Sequence, residues 1–62
     1  MRGLPRLKEH RKQRTLTQEE LAKLSGVSRP TIARLETTST RATPETAKKL
    51  AKVLKVRPEK LY

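Results

Sequence analysis

The chain contains no cysteine, no aspartate, no phenylalanine and no tryptophan, and Tyr62 and His10 are its single aromatic and single histidine. Without cysteine there is no disulfide framework and no thiolate metal site. One histidine cannot build a metal cluster, and with no aspartate to orient it no nucleophile–base–orienter set can be assembled. Glu19 and Glu20 are neighbours that point to different helix faces, so they are not a catalytic carboxylate pair. An enzyme is therefore not expected, nor is a cofactor, a metal or a small-molecule substrate. Lack of aromatic stacking platforms argues against single-stranded RNA. Hydrophobic residues make up only 32% of the chain, and no apolar run approaches the roughly 18 residues needed to span a membrane. The start Met1-Arg2-Gly3 is basic but lacks the apolar stretch of a signal peptide. The expectation is a soluble, cytoplasmic protein with no membrane partner.

What is present is basic charge and a modest stock of aliphatics. Sixty-two residues allow one domain, 1–62, and a domain of this size buries only about 60% of its unfolded surface. Nine Leu, three Val and one Ile can pack short helices but not a sheet flanked by helices. Sixteen Lys and Arg against six Glu leave a net charge of +10, which points to a polyanionic partner. The charge is unevenly placed: +5 over residues 1–14, zero over 15–36 and +5 over 37–62. A disordered polycation would not show a neutral, apolar-patterned middle.

Capping signals divide the chain into helices. Leu4, Leu7 and Arg11 share a face of a first helix from about residue 5 to 13. Thr17-Gln18-Glu19-Glu20 is a capping box, with Leu16 and Leu21 placed to staple the helix start. Leu21, Ala22 and Leu24 are expected to form the apolar face of this second helix. Ser25-Gly26 ends it, because glycine accepts the left-handed conformation. Ser28 is the next N-cap, with Arg29 and Pro30 in the first turn, Ile32 and Leu35 turned inward, and Arg29, Pro30, Ala33 and Arg34 turned outward. Thr37-Thr38-Ser39-Thr40 reads as a polar loop. Thr43 caps a helix that opens with Pro44 and carries a stripe of Ala47, Leu50, Ala51 and Leu54. Pro58 opens a last turn ending at Leu61 and Tyr62. The fold class is all-α, with five short helices.

The segment Gln18–Glu36 holds two helices of about two turns joined by a three-residue turn, which suits a helix-turn-helix unit at about 17–36. Ala22 is small where the helices approach, and Val27, Ile32 and Leu35 fill the angle between them. Leu7, Arg11, Thr17-Gln18-Glu19-Glu20-Leu21-Ala22, Gly26-Val27-Ser28, Thr31-Ile32, Leu35-Glu36 and Glu45-Thr46 resemble the Cro and phage-repressor type of helix-turn-helix domain, the XRE family. The likeness runs from Leu4 to about Leu61. It implies a five-helix, lambda-repressor-like fold with the helix at 28–36 in the DNA major groove. Thr15 and Thr38 stand where the family often has glycine, Lys55 where a glycine usually ends the fourth helix, and Ala42 where a loop proline is frequent. Thr15, Thr38 and Lys55 are expected to put strain, or an extended helix, at those turns.

Taken with the geometry of such a domain, the resemblance assigns roles. Arg29, Pro30, Thr31, Ala33 and Arg34 are the candidate base contacts: arginine can donate two hydrogen bonds to guanine, while Pro30 and Ala33 suit thymine methyl groups. Thr17, Gln18, Thr37, Ser39, Thr40 and Arg41 are the candidate phosphate contacts, aided by helix N-terminal amides. The family commonly pairs the position of Arg11 with the acid matching Glu36, which implies a structural ion pair. The implied partner is double-stranded DNA, read as a homodimer, with Val56, Leu61 and Tyr62 equally placed to form a dimer edge or to close the monomer core. The expected function is a sequence-specific transcriptional regulator, most simply a small repressor on a palindromic operator. The alternative is a protein- or RNA-interaction module on the same fold, such as an antitoxin-like partner-binding protein.

Overall fold

Helix starts and stops written into the sequence set the architecture, which the computed structural model describes for residues 3–37 and 41–62. Four α-helices, α1 (Leu7–Gln13), α2 (Gln18–Ser25), α3 (Arg29–Glu36) and α4 (Pro44–Leu54), precede a 3-10 turn, Pro58–Leu61. The fifth helix is thus a correction: it is one turn of 3-10, closed by the Lys60 amide donating to the Arg57 carbonyl at 2.9 Å. Its hydrogen bond spans three residues rather than four, which makes it a 3-10 turn and not an α-helix. No strand is found among the described residues.

The caps explain the boundaries. The Thr17 hydroxyl accepts from the Glu20 amide at 3.0 Å, while the Glu20 carboxylate accepts from the Thr17 amide at 2.8 Å. The Thr43 hydroxyl likewise accepts from the Thr46 amide at 3.2 Å. Ser28 has the extended backbone of a cap, but makes no side-chain cap bond; its hydroxyl donates instead to Thr31 Oγ1 at 2.7 Å.

Three helices end in the left-handed conformation, and a single glycine serves them. Gly26 takes φ 77° at the end of α2, where its amide donates to the Ala22 carbonyl. Thr15 and Lys55 take φ 53° and 58° after α1 and α4. Each is followed by a bond that reaches back five residues, Leu16 to Arg11 and Val56 to Ala51, as in a glycine-terminated helix. At Thr15 and Lys55 the departures from the family pattern therefore bend the backbone sharply instead of extending a helix, at a cost of about 1–2 kcal/mol each. Ala42 is half-buried and packs against the core. Thr38 lies outside the described residues.

The core gathers Leu4 and Leu7, Leu21, Val27, Ile32 and Leu35, Ala47, Leu50, Ala51 and Leu54, and Leu61. Two corrections follow. Leu24 is not on the buried face: it is 63% exposed. At about 100° per residue, Leu21, Ser25, Gln18 and Ala22 span one arc of α2, and Leu24 falls about 60° outside it on the far side of Leu21. Leu61 is fully buried, which assigns it to the monomer core and removes it from any dimer edge. Val56 is half-buried against that core, and Tyr62 remains 46% exposed.

The N-terminal segment ties the ends together. The Leu4 amide donates to the Leu35 carbonyl at 3.0 Å and the Arg6 amide to the Leu61 carbonyl at 3.1 Å. One tight turn, closed by the Leu7 amide donating to the Leu4 carbonyl at 3.0 Å, thereby reaches carbonyls at the end of α3 and in the closing turn.

Candidate nucleic-acid interface

The outer face of α3 is built by exclusion. Ile32 and Leu35 are buried, so the 3.6-residue period turns Arg29, Pro30 and Arg34 to solvent, and all three are exposed. Thr31 and Ala33 flank them, half-buried. Pro30 occupies the first turn, where its missing amide costs nothing. The Thr37 hydroxyl donates to the Ala33 and Arg34 carbonyls at 3.3 and 3.1 Å and closes the other end of the helix.

What holds this face in position is a buried polar node between α1, α2 and α3. Arg11 Nε donates to Glu36 Oε2 at 2.6 Å and Nη2 to Oε1 at 3.2 Å. The third arm, Nη1, donates to the Leu16 carbonyl at 2.7 Å. Gln18 Nε2 adds a bond to Glu36 Oε1 at 3.0 Å. The side chains of Arg11 and Glu36 are only 10% and 3% exposed. A charge pair taken this far from water requires a fork geometry and further hydrogen bonds to offset desolvation, and both are present. The node fixes the start of α2 and the last residue of α3 to the same guanidinium.

This arrangement revises the picture of Gln18. One of its amide hydrogens is committed to Glu36, a bond the sequence did not announce. Arg14 is the other surprise, since its Nε donates to the Leu54 carbonyl at 3.2 Å and helps close α4. One of several basic residues at the end of α1, Arg14 carries no local signal for a partner 40 positions away.

Thr17, Gln18 and Arg29 share the wall of an open cleft of about 470 Å³, with Arg11, Thr15, Leu16 and Glu19 completing it. The structure thus brings together the start of α2 and the start of α3, the two places from which backbone and base contacts would be made. The Thr17 oxygen accepts within the capping box, which leaves its hydroxyl hydrogen to donate outward. Arg41 is exposed. Ser39 and Thr40 lie outside the described residues.

Among the described residues no group of His, Asp or Glu is arranged to hold a metal ion, and no helix is long and apolar enough to cross a membrane. No curated protein and no solved structure matches the chain. A family model described as Helix-turn-helix matches residues 7–61, nearly all of the chain. With α2, the Gly26 turn and the exposed α3 face in place, the chain belongs to the Cro and phage-repressor type of helix-turn-helix family, a family of DNA-binding transcription regulators.

Proposed function

We propose that residues 1–62 form a single reading head that binds a palindromic operator as a homodimer and represses transcription by occluding it. The observation that carries this reading is the exposed edge of α3, Arg29, Pro30 and Arg34, backed by the buried Arg11–Glu36–Gln18 node. The N-terminal end of a recognition helix points into the major groove, so Arg29 and Pro30 lead and Arg34 follows one turn later. Arg29 and Arg34 donate to guanine O6 and N7, Pro30 and Ala33 meet thymine methyl groups, and Thr31 contacts a base or the adjoining phosphate. Thr17, Gln18, Thr37, Ser39, Thr40 and Arg41 hold the sugar-phosphate backbone and set the register.

Two copies are needed because one module of this size touches too few bases and phosphates for tight specific binding. Half-sites then lie one helical turn apart, about 34–36 Å. With Leu61 committed to the core, Tyr62 and the half-buried Val56 are what the C-terminal edge offers a second copy.

Selection from random duplex DNA at several salt concentrations tests this reading. A palindromic motif should emerge, and Arg34→Ala should relax one position of it by about 1–3 kcal/mol of discrimination. Arg41→Ala should instead weaken all sequences alike and lower the salt slope by about one unit. Salt-sensitive binding with no enriched sequence would leave a nonspecific polycation.

A further inference from the structure

Leu24 is 63% exposed although it sits on a helix whose neighbours supply the core. Large aliphatics scattered singly on a surface need no explanation, but Leu24 is not alone. It lines an open cleft of about 520 Å³ between the ends of α2 and α4, together with Ser25, Lys49, Lys52, Val53 and Lys55. Val53 is half-buried there against the core. Three of the six lining residues are lysines and none is acidic. The cleft is thus apolar along Leu24 and Val53, and bounded by positive charge from α4 and its left-handed end.

We infer that this cleft docks an acidic amphipathic segment of a partner protein, with aliphatic side chains on one face and carboxylates flanking them. Apolar side chains entering beside Leu24 and Val53 bury surface that folding leaves wet, and Glu or Asp on either side meets the lysine ammonium groups. This is the helix-in-groove mode of peptide recognition, with charge complementarity selecting the partner. A second copy of this chain is a poorer occupant, because a two-fold contact would set three lysines against the same three lysines. A nucleic acid backbone satisfies the lysines but offers nothing apolar to Leu24 and Val53. A lipid surface favours a protruding apolar face, whereas Val53 lies recessed. The residues of the cleft are distinct from every residue proposed to contact DNA, so the regulator can hold duplex and partner at once, and either assignment can fail without the other.

The experiment is a two-dimensional amide NMR titration of the full chain with a synthetic acidic helical peptide of about four turns. The peptide carries leucines at i and i+4 flanked by glutamates; a scrambled peptide of the same composition is the control. Saturable shifts should centre on Leu24, Ser25 and residues 49–55. Leu24→Ser and, separately, Lys52→Glu should each weaken the peptide about tenfold, while the circular dichroism spectrum and duplex binding of Leu24→Ser stay unchanged. Equal binding of the scrambled peptide, or no effect of Leu24→Ser, overturns the assignment in favour of diffuse charge attraction. Shifts of the same residues on adding duplex DNA overturn it in favour of a backbone contact. Loss of self-association in Leu24→Ser, measured by sedimentation, overturns it in favour of a second copy.

Discussion

Arg11–Glu36 at the α1–α3 junction and Arg57–Glu59 in the closing turn use the same two residue types in opposite surroundings. The first pair meets at 2.6 Å with side chains 10% and 3% exposed, and three further hydrogen bonds converge on it. The second meets at 3.9 Å with side chains 80% and 72% exposed. Water and salt screen the second to almost nothing. In the first, each charge has given up its hydration and depends on the other. A short, basic chain has many charges at its surface, yet one buried acid joins three helices, and that acid is the last residue of α3.

The largest way to test this contrast is Arg11→Met, which leaves the Glu36 carboxylate buried without its partner. A loss of about 3–5 kcal/mol is expected in urea unfolding, enough to unfold much of the population of a domain with so thin a core. A loss below about 1 kcal/mol would place the two pairs in the same class. Arg11→Met combined with Glu36→Leu should recover more than half of that loss, since the orphaned charge goes with its partner. Recovery should stop short of wild type because the Gln18 amide and the Leu16 carbonyl then lose their partners.

Backbone handedness sharpens the comparison from the other side, because it is local in both regions. Thr15→Gly beside the junction and Lys55→Gly near the closing turn should each raise stability by about 0.5–1 kcal/mol. Similar gains at the two sites, measured by thermal melts, would show that the regions differ in charge burial and not in rigidity. The smallest effect belongs to Arg57→Ala, expected within about 0.5 kcal/mol of wild type and indistinguishable from it at high salt.

The helix boundaries were legible because capping is a short-range affair. Thr17 with Glu20, Gly26, and Thr43 with Pro44 act on amides within four residues, and the structure uses each of them. Ser28 shows the limit: its backbone caps α3, but its hydroxyl finds Thr31 instead. The exposed edge of α3 was legible for the same reason, as burying Ile32 and Leu35 leaves Arg29, Pro30 and Arg34 no other direction.

Arg11 and Glu36 lie 25 residues apart; Arg11 stands out locally by sharing the face of Leu4 and Leu7, but only the family resemblance linked it to Glu36. The bonds from Gln18 to Glu36 and from Arg14 to the Leu54 carbonyl had no such guide. Leu24 misled because one helix can bury either of two overlapping arcs that both contain Leu21. Packing against α3 and α4 chose the arc through Ser25, Gln18 and Ala22.

Residue order alone thus settles where α2, α3 and α4 begin, how much charge the chain carries and which side of α3 is polar. These follow from interactions within about one helical turn and from charges that are simply counted. Which face of α2 is buried, which acid is desolvated, and whether Leu61 closes the monomer or faces outward were settled by the packed fold. Those outcomes depend on surfaces that come together only when distant helices meet, and on desolvation, which no single helix can impose.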